Sequence, residues 1–331
     1  MYFYCEKCKK QYPLITHSYM CECGGMFRLH KSDSDECAND ISIGEGVTPL
    51  MPFRANHQDF ILKMENLQPT GSFKDRGAYR LINEIHKIGI RKVAMDSAGN
   101  AGAAIAAYAA AADMECTIYM PEDASVERFK QIESYGAKTV KVPKSRMSAC
   151  TAVKENLGDA YYASHVYNPL FTEGMKSMAH EIYHQLGDQV PEYIFMPVGN
   201  GTMLLGLFLG FVEIGRLPHF VAVQSKECAP LYEVFHGLEP EPKRTTVASA
   251  IRIEQPKRLN DMLEALRASN GDVIAVDDEK ILKAKDYLGA RGIYVETTSA
   301  AALAGALKYF PNGKPDNYRV IIPITGHGLK G

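Results

Sequence analysis

From Phe60 onward, short runs rich in β-branched and aromatic residues alternate with longer stretches whose apolar residues fall at helical spacing. Phe60–Glu65, Lys92–Asp96, Cys116–Met120, Lys138–Val142, Tyr193–Pro197, Phe220–Gln224, Asp272–Val276 and Tyr318–Pro323 read as strands. Between them, Lys74–Ile88, Ala101–Ala112, Ser125–Tyr135 and residues 202–212 read as helices. Strands separated by helices of about 10–15 residues point to a mainly parallel sheet covered on both faces. A chain of 331 residues with 46% hydrophobic content has material for about two such domains, each with a full core. The fold expected is therefore α/β, in two domains with open, mainly parallel twisted sheets. The chain shows neither an internal repeat nor a low-complexity segment.

Charge narrows the partners. Lys and Arg number 37 against 39 Asp and Glu, a formal net charge of −2, and no basic stripe invites nucleic acid or an anionic membrane. The longest run of small apolar residues, Ala101–Ala112, carries Gly102 and Tyr108 and falls short of the roughly 20 residues a membrane span needs. The first ten residues, MYFYCEKCKK, put cysteines and lysines where a signal peptide would need an apolar region. A soluble, cytoplasmic protein with no membrane and no nucleic-acid partner is expected.

Four of the eight cysteines lie within the first 23 residues, as Cys5-x-x-Cys8, twelve intervening residues, then Cys21-x-Cys23 followed by Gly24-Gly25. Two close pairs separated by a hairpin-length segment suit a tetrahedral zinc ion with four thiolates at about 2.3 Å. Glycine permits the tight turn behind the second pair, although C-x-C makes that knuckle shorter than usual. The alternative is a small hairpin with four reduced thiols. Four thiolates would leave no open position, so zinc here would hold structure and do no chemistry. Residues 1–30 are read as a zinc-ribbon-like extension, and the polar stretch His30–Asp40 as a linker or loop. The remaining cysteines (Cys37, Cys116, Cys150, Cys228) are scattered.

Three strand–loop–helix junctions offer backbone amides at a helix N-terminus, the geometry that suits an anion. In Val198-Gly-Asn-Gly-Thr202, Gly199 and Gly201 let the backbone approach a phosphate, Asn200 and Thr202 can add side-chain bonds, and Gly206 permits close helix packing. A dinucleotide reading would ask for an acidic residue at the tip of the next strand, which instead ends Val223-Gln224-Ser225. In Pro69-Thr-Gly-Ser-Phe-Lys74-Asp-Arg-Gly77, a lysine stands behind a Thr-Gly-Ser turn at a helix start; the bland reading is a solvated lysine. In Asp96-Ser97-Ala-Gly99-Asn100, small residues and an asparagine amide make a cradle for a carboxylate, or merely cap the helix.

As an ordered set, P-T-G-S-F-K-D-R-G, then S-x-G-N, then G-N-G-T, then Thr325-Gly-His-Gly-Leu-Lys330 resembles the pyridoxal-phosphate enzymes of the tryptophan synthase β-like group, fold type II. Within that group the chain is most similar to the threonine synthases. The cysteine ribbon, Gly44-Glu-Gly-Val-Thr-Pro-Leu50, Asn168-Pro169 with Glu173-Gly174, and the closing motif all favour that likeness, which spans nearly the whole chain. The resemblance implies pyridoxal 5′-phosphate as cofactor, an amino-acid substrate and a homodimer. It implies a discontinuous large domain, 40–77 with 171–331, and a small mobile domain, 78–170, with the cofactor in the cleft between them. Lys74 matches the lysine that forms the internal aldimine and then shuttles a proton. Gly199, Asn200, Gly201 and Thr202 match the phosphate cup, and Asn100 the asparagine that bonds the cofactor's 3′ oxygen. Ser97 and the loop amides around Gly99 match the carboxylate site, and Thr325 the residue facing the pyridine nitrogen. A hydroxyl at that place implies a ring not held protonated, which leans toward elimination and replacement.

In the threonine synthases, O-phosphohomoserine loses phosphate from Cγ through a carbanion and water adds at Cβ; in the dehydratases of the same group, hydroxide leaves Cβ and a keto acid and ammonia form. Three positions depart from the pattern: Ala98 where S-T-G-N has threonine, Gln68 where asparagine is usual, and Phe171 where many threonine synthases carry an arginine associated with the substrate phosphate. Lys176, Arg252, His327 and Lys330 are the cations that could replace it. The runners-up are a serine/threonine ammonia-lyase, a β-replacement enzyme such as a cysteate synthase, and a non-catalytic pyridoxal-phosphate-binding regulator. Glu296-Thr-Thr-Ser299 resembles a segment lining the family's cofactor pocket, with Ser299 a candidate helix cap. His165 and His184 read as surface or helix histidines, and Phe208 with Phe211 as core or subunit interface.

Overall fold

The structure is a computed structural model that describes the chain except residues 33, 34, 36, 37, 98, 123, 125, 144, 145, 244 and 331, and at 128, 146 and 147 only the backbone. Cys37, Ala98 and the expected helix start at Ser125 thus lie outside the described residues. Along the chain come β1 (Tyr2–Cys5), β2 (Gln11–Tyr12), β3 (Phe27–His30), β4 (Leu50–Ala55), β5 (Gln58–Lys63) and α1 (Lys74–Lys87). Then follow β6 (Lys92–Asp96), α2 (Asn100–Ala111), β7 (Glu115–Pro121), α3 (Val126–Ser134), β8 (Lys138–Val142), α4 (Arg146–Glu155), β9 (Tyr161–Tyr162) and α5 (Pro169–Gln185). The last part holds β10 (Tyr193–Pro197), α6 (Thr202–Ile214), β11 (His219–Ser225), α7 (Pro230–Phe235), α8 (Leu259–Ala268), β12 (Asp272–Val276), α9 (Asp278–Gly289), α10 (Thr297–Tyr309) and β13 (Val320–Pro323).

The chain divides into two compact units, one of residues 1–45 with 74–174, the other of residues 46–73 with 175–330, so one boundary falls inside α5. The first unit holds a small antiparallel sheet, β2-β1-β3, and a parallel sheet, β8-β7-β6-β9. Its alanine-rich α2 is buried almost all round, which small side chains allow: a Cβ on Gly102 would overlap the Ser97 carbonyl oxygen and lie 3.3 Å from Ile118. The stretch read as a linker or loop is tied to α1 at its far end. The N–H groups of Ala38 and Ile41 donate to Glu84 Oε1 (3.0 Å) and Asn83 Oδ1 (2.8 Å) on α1.

The second unit is built on the sheet β12-β11-β10-β13-β5-β4, parallel except for the β4–β5 hairpin. β4 is a strand the sequence reading did not assign; its Pro52 has no ladder donor, and β4 lies at the sheet edge, where proline is tolerated. Phe195, Val221, Val223, Leu303 and Ile322 fill one face, and Met196, Leu204, Phe211 and Phe220 the other. Phe211 is core, with Phe208 packed at its margin. Gly206 works as its position suggested: a Cβ there would overlap Met175 of α5, and one at Gly210 would lie 2.7 Å from Ala179. Among the described residues, no helix is long and apolar enough to cross a membrane.

Candidate active site

In the second unit, β10 ends at Pro197 and residues 198–201 turn the chain into α6. Gly201 sits at φ +82°, a conformation costly for any residue with a Cβ, and a Cβ there would also overlap Met262 Sδ. At Gly199 a Cβ would lie 2.9 Å from Ile253 Cγ1 and 3.2 Å from Ile251 Cα. The Leu205 N–H reaches back to the Gly201 carbonyl (2.9 Å), so the helix's own hydrogen bonds begin there and its N-terminal amides face the loop. The first turn carries no acidic residue, and its positive helix end is left for an anion. Sequence reasoning missed what fixes this loop. Gln224 is fully buried; its Nε2 donates to the Val198 carbonyl (3.1 Å), and its Oε1 accepts from the N–H groups of Leu231 and Tyr232 (2.9 and 3.1 Å). The residue at the strand tip that cannot serve a ribose serves the turn next door.

A second element of this unit is the turn after β13. Ile324 N–H donates to the Lys63 carbonyl (2.8 Å), Phe73 N–H to that of Thr325 (3.1 Å), and His327 N–H to that of Gly71 (2.9 Å), so residues 71–73 lie along 325–327. The Thr325 side chain is buried, 2.8 Å from Ser299 Oγ and 3.2 Å from Glu296 Oε1. Glu296, not Ser299, occupies the N-cap position of α10, and Ser299 spends its hydroxyl on this turn. The Ser72 hydroxyl is wholly buried with no hydrogen-bond partner among the described residues, and so are Asn66 Oδ1 and Gln68 Oε1. Buried polar atoms left so are costly, and three within the seven residues 66–72, just before Lys74, mark a place built for a polar guest.

Lys74 follows Phe73 directly and opens α1 in the first unit. Its ammonium stands 5.7 Å from the ring centre of Phe171, which is fully buried and meets His165 edge-on at 6.0 Å. His165 is thus a half-buried turn residue beside that ring, not a surface or helix histidine, whereas His184 is an exposed helix residue paired with Asp188. Gly174 fits because a Cβ would overlap the Arg76 carbonyl oxygen, and Asn168 caps α5, its Oδ1 accepting from Leu170 N–H at 3.0 Å.

In the same unit β6 delivers Ser97, Gly99 and Asn100 to the start of α2. Ser97 Oγ accepts from Gly99 N–H (3.3 Å), Gly99 is the N-cap in an extended conformation, and the first turn has no acidic residue. The preceding Asp96 accepts a short hydrogen bond from the Tyr162 hydroxyl; burial first, and then that carboxylate, push the Tyr162 phenol far above its ordinary range.

At the N-terminus the sulfur atoms of Cys5, Cys8, Cys21 and Cys23 all lie within 4.8 Å of one another. Cys5 and Cys23 are 3.4 Å apart and Cys8 and Cys21 3.5 Å, near the roughly 3.8 Å edge of a tetrahedron with 2.3 Å arms. The Tyr12 hydroxyl, 3.2 Å away, leads the causes that lower the Cys21 thiol to about 6. Cys23 accepts a favourable bond from the Gly25 backbone, yet its three sulfur neighbours push it up to about 12. One thiolate forms readily and the last resists, the mutual repulsion that a dication removes. Gly25 is required by this packing, since a Cβ would overlap Cys5 Sγ.

The sequence profile described as pyridoxal-phosphate dependent enzyme matches residues 41–326. The chain belongs to the pyridoxal-phosphate-dependent enzymes. Threonine synthase of Methanocaldococcus jannaschii is 32% identical over 98% of this chain and 92% of its own. That of Synechocystis is 33% identical over 96% and 86%. Among solved structures, an L-serine ammonia-lyase from Rhizomucor miehei superposes with a TM-score of 0.75 at 22% identity, over 86% of this chain and 95% of its own, a likeness of fold. The protein is thus an enzyme whose cofactor is pyridoxal phosphate. Residues of the second unit fit that group: a loop shaped by Gly199 and Gly201 at a helix start for phosphate, and buried hydroxyls at Ser72 and Thr325 for a polar ring; the first unit has an amine at Lys74.

Proposed function

We propose that the enzyme is a threonine synthase, converting O-phosphohomoserine and water to threonine and phosphate. The observation that carries this reading is the 32% identity to a threonine synthase along 98% of the chain. Pyridoxal phosphate, when bound, supplies an electron-withdrawing ring that stabilises negative charge on carbons next to the substrate's amino group.

The protein's own residues do the rest. The amides behind Gly199, Asn200 and Gly201, with Thr202, hold the cofactor's phosphate; the positive end of α6 makes that site favourable without a buried counter-ion. Asn100 donates to the ring oxygen, and Thr325 faces the ring nitrogen. Ser97 and the amides around Gly99 hold the substrate carboxylate. Lys74 Nζ takes the proton from the substrate's Cα and returns it at the end. In the overall reaction a second proton leaves Cβ, the Cγ–O bond breaks with its electron pair going to phosphate, Cγ is protonated, and the oxygen of water bonds to Cβ.

Phe171 supports a second reading, serine/threonine ammonia-lyase, because an aromatic ring beside Lys74 offers nothing to a phosphate dianion. Of the cations that could compensate, Lys176 is held by Glu213 at 2.7 Å and Lys330 by the Thr70 carbonyl at 2.6 Å. Arg252 is exposed, between the two isoleucines that pack on Gly199. Incubation of the purified protein with O-phosphohomoserine, L-threonine, L-serine and O-phosphoserine, with phosphate, ammonia and threonine assayed together, separates the readings. Threonine with equal phosphate supports the first; ammonia and keto acid with phosphohomoserine inert supports the second. We further read residues 78–170 as a small mobile domain, the four N-terminal cysteines as ligands of one structural zinc, and the working enzyme as a cytoplasmic homodimer.

A further inference from the structure

The N-terminal extension is packed into the first unit through one aromatic contact. Tyr19, two residues before Cys21, meets Tyr162 edge-on at 5.9 Å and Tyr167 edge-on at 5.0 Å. The Lys154 ammonium stands 4.1 Å from the Tyr19 ring centre and 4.5 Å from that of Tyr167. A cation this close to two aromatic rings is attracted to both, which ties Tyr19 to α4 and to residue 167. Met26 of the same extension is buried in one apolar cluster with Ala94 of β6, Tyr119 of β7, Val153 of α4 and Tyr162 of β9, and Tyr19 packs against that cluster. All these residues belong to the first unit.

From this cluster Tyr162 reaches the loop before α2. The ring is buried, and its hydroxyl donates a short hydrogen bond to the Asp96 carboxylate. Asp96 is the last residue of β6, in register with Tyr119, and the next residue, Ser97, donates its N–H to the Tyr119 carbonyl at 3.2 Å. The chain at 96–97 is therefore held by the backbone of β7 and by a side chain of β9. Beyond it there is little slack. Ser97 Oγ accepts from Gly99 N–H at 3.3 Å, and a Cβ on Gly102 would overlap the Ser97 carbonyl oxygen. In so tight a turn a change in the direction of Asp96 carries over to Ser97.

We propose that Tyr19 of the N-terminal extension, acting through Tyr162 and Asp96, positions Ser97 for the carboxylate of the substrate. This rests on the reading of Ser97 as part of the carboxylate site, and it makes the extension a working part of substrate binding. Tyr19, Tyr162 and Asp96 are positioning residues: each acts on the substrate only by way of Ser97. Without the phenol, the Asp96 carboxylate loses a bond to a charged acceptor and turns toward water, and the start of the loop turns with it.

The test compares two ligands by spectral titration of the full-length holoenzyme. L-2-aminobutyrate has a four-carbon chain with a carboxylate and no leaving group; n-propylamine is the same molecule without the carboxylate. Tyr162→Phe, which deletes one hydroxyl and keeps the ring, should weaken aminobutyrate about 2- to 30-fold, the range for a residue that acts through its neighbours, and leave propylamine unchanged. Tyr19→Ala should do the same in smaller measure, and Tyr19→Phe should bind as the wild type does. Tyr19→Ala combined with Tyr162→Phe should be no weaker than Tyr162→Phe alone, because both changes act through one hydroxyl. Equal weakening of both ligands, the mark of a merely structural role, overturns the inference; so does wild-type binding in Tyr162→Phe, and so do losses that multiply in the double variant. Ser97→Ala separates this inference from the reading beneath it. If Ser97→Ala spares aminobutyrate, the carboxylate reading fails and takes the inference with it; if it weakens aminobutyrate while Tyr162→Phe does not, the inference alone fails. Tyr162→Phe decides even if Tyr19→Ala does not fold.

Discussion

Gly201→Ala should weaken cofactor binding by about two orders of magnitude while leaving the fold intact. Gly201 lies at φ +82° and a Cβ would overlap Met262 Sδ. Left-handed backbone costs a residue with a Cβ about 1–2 kcal/mol, and pushing the Met262 thioether aside adds about 1–2 kcal/mol, the low end of overpacking. The loop can relax when no phosphate draws its amides inward, so most of this sum of about 2–4 kcal/mol falls on binding and not on folding. At about 1.4 kcal/mol per tenfold, affinity should drop about 30- to 700-fold. The assay is a cofactor titration of the resolved apoenzyme by visible absorbance, with the melting temperature of the apoenzyme measured alongside. Gly201→Ala combined with Met262→Ala should recover the steric share and leave the backbone share. Wild-type affinity in Gly201→Ala would refute the reasoning; so would an equal loss in the double variant, because the Met262 overlap would then play no part.

Lys74→Ala should abolish the visible band of the lysine-bound cofactor and lower turnover by at least about 10²–10⁴-fold, the usual share of a positioned base, as read by absorbance and phosphate release. Ser97→Ala removes one bond to a charged carboxylate, worth about 1.5–3 kcal/mol, and should cut kcat/KM by about 10- to 150-fold with cofactor affinity unchanged. Zinc uptake by the metal-free protein should release protons at pH 7, because Cys23 is pushed up to about 12 and must ionise to become a ligand, whereas Cys21, lowered to about 6, is already a thiolate. Zinc affinity should accordingly rise with pH from 6 to 8, and calorimetry in buffers of different ionisation enthalpy measures the proton count directly.

Much of this protein is written locally and was legible for that reason. The strands at 92–96, 138–142, 193–197 and 272–276 begin and end where composition and breakers put them, and Gly206 announces the close approach of α5. What sequence did not disclose depends on partners far along the chain. Pro52 hides β4 until the strand is seen at a sheet edge. Gly174 weakens the helical pattern of α5 for the sake of the Arg76 carbonyl, a contact across about a hundred residues. Gln224 looked like a missing acid and is a brace for the phosphate loop. Ser299 reads as a cap three positions from the true N-cap, Glu296, because its real partners, Thr325 and Gly326, lie on another element. His165 gave no signal at all, since its place beside Phe171 follows from a turn that no motif marks.

The most direct test of the proposed chemistry is turnover of O-phosphohomoserine in ¹⁸O-labelled water, with mass spectrometry of both products. Loss of phosphate by C–O cleavage followed by addition of water predicts one labelled oxygen in the hydroxyl of threonine and none in the phosphate. Label in the phosphate, with homoserine as the other product, would mean P–O cleavage and would contradict the account; so would the absence of threonine with ammonia released from serine or threonine instead.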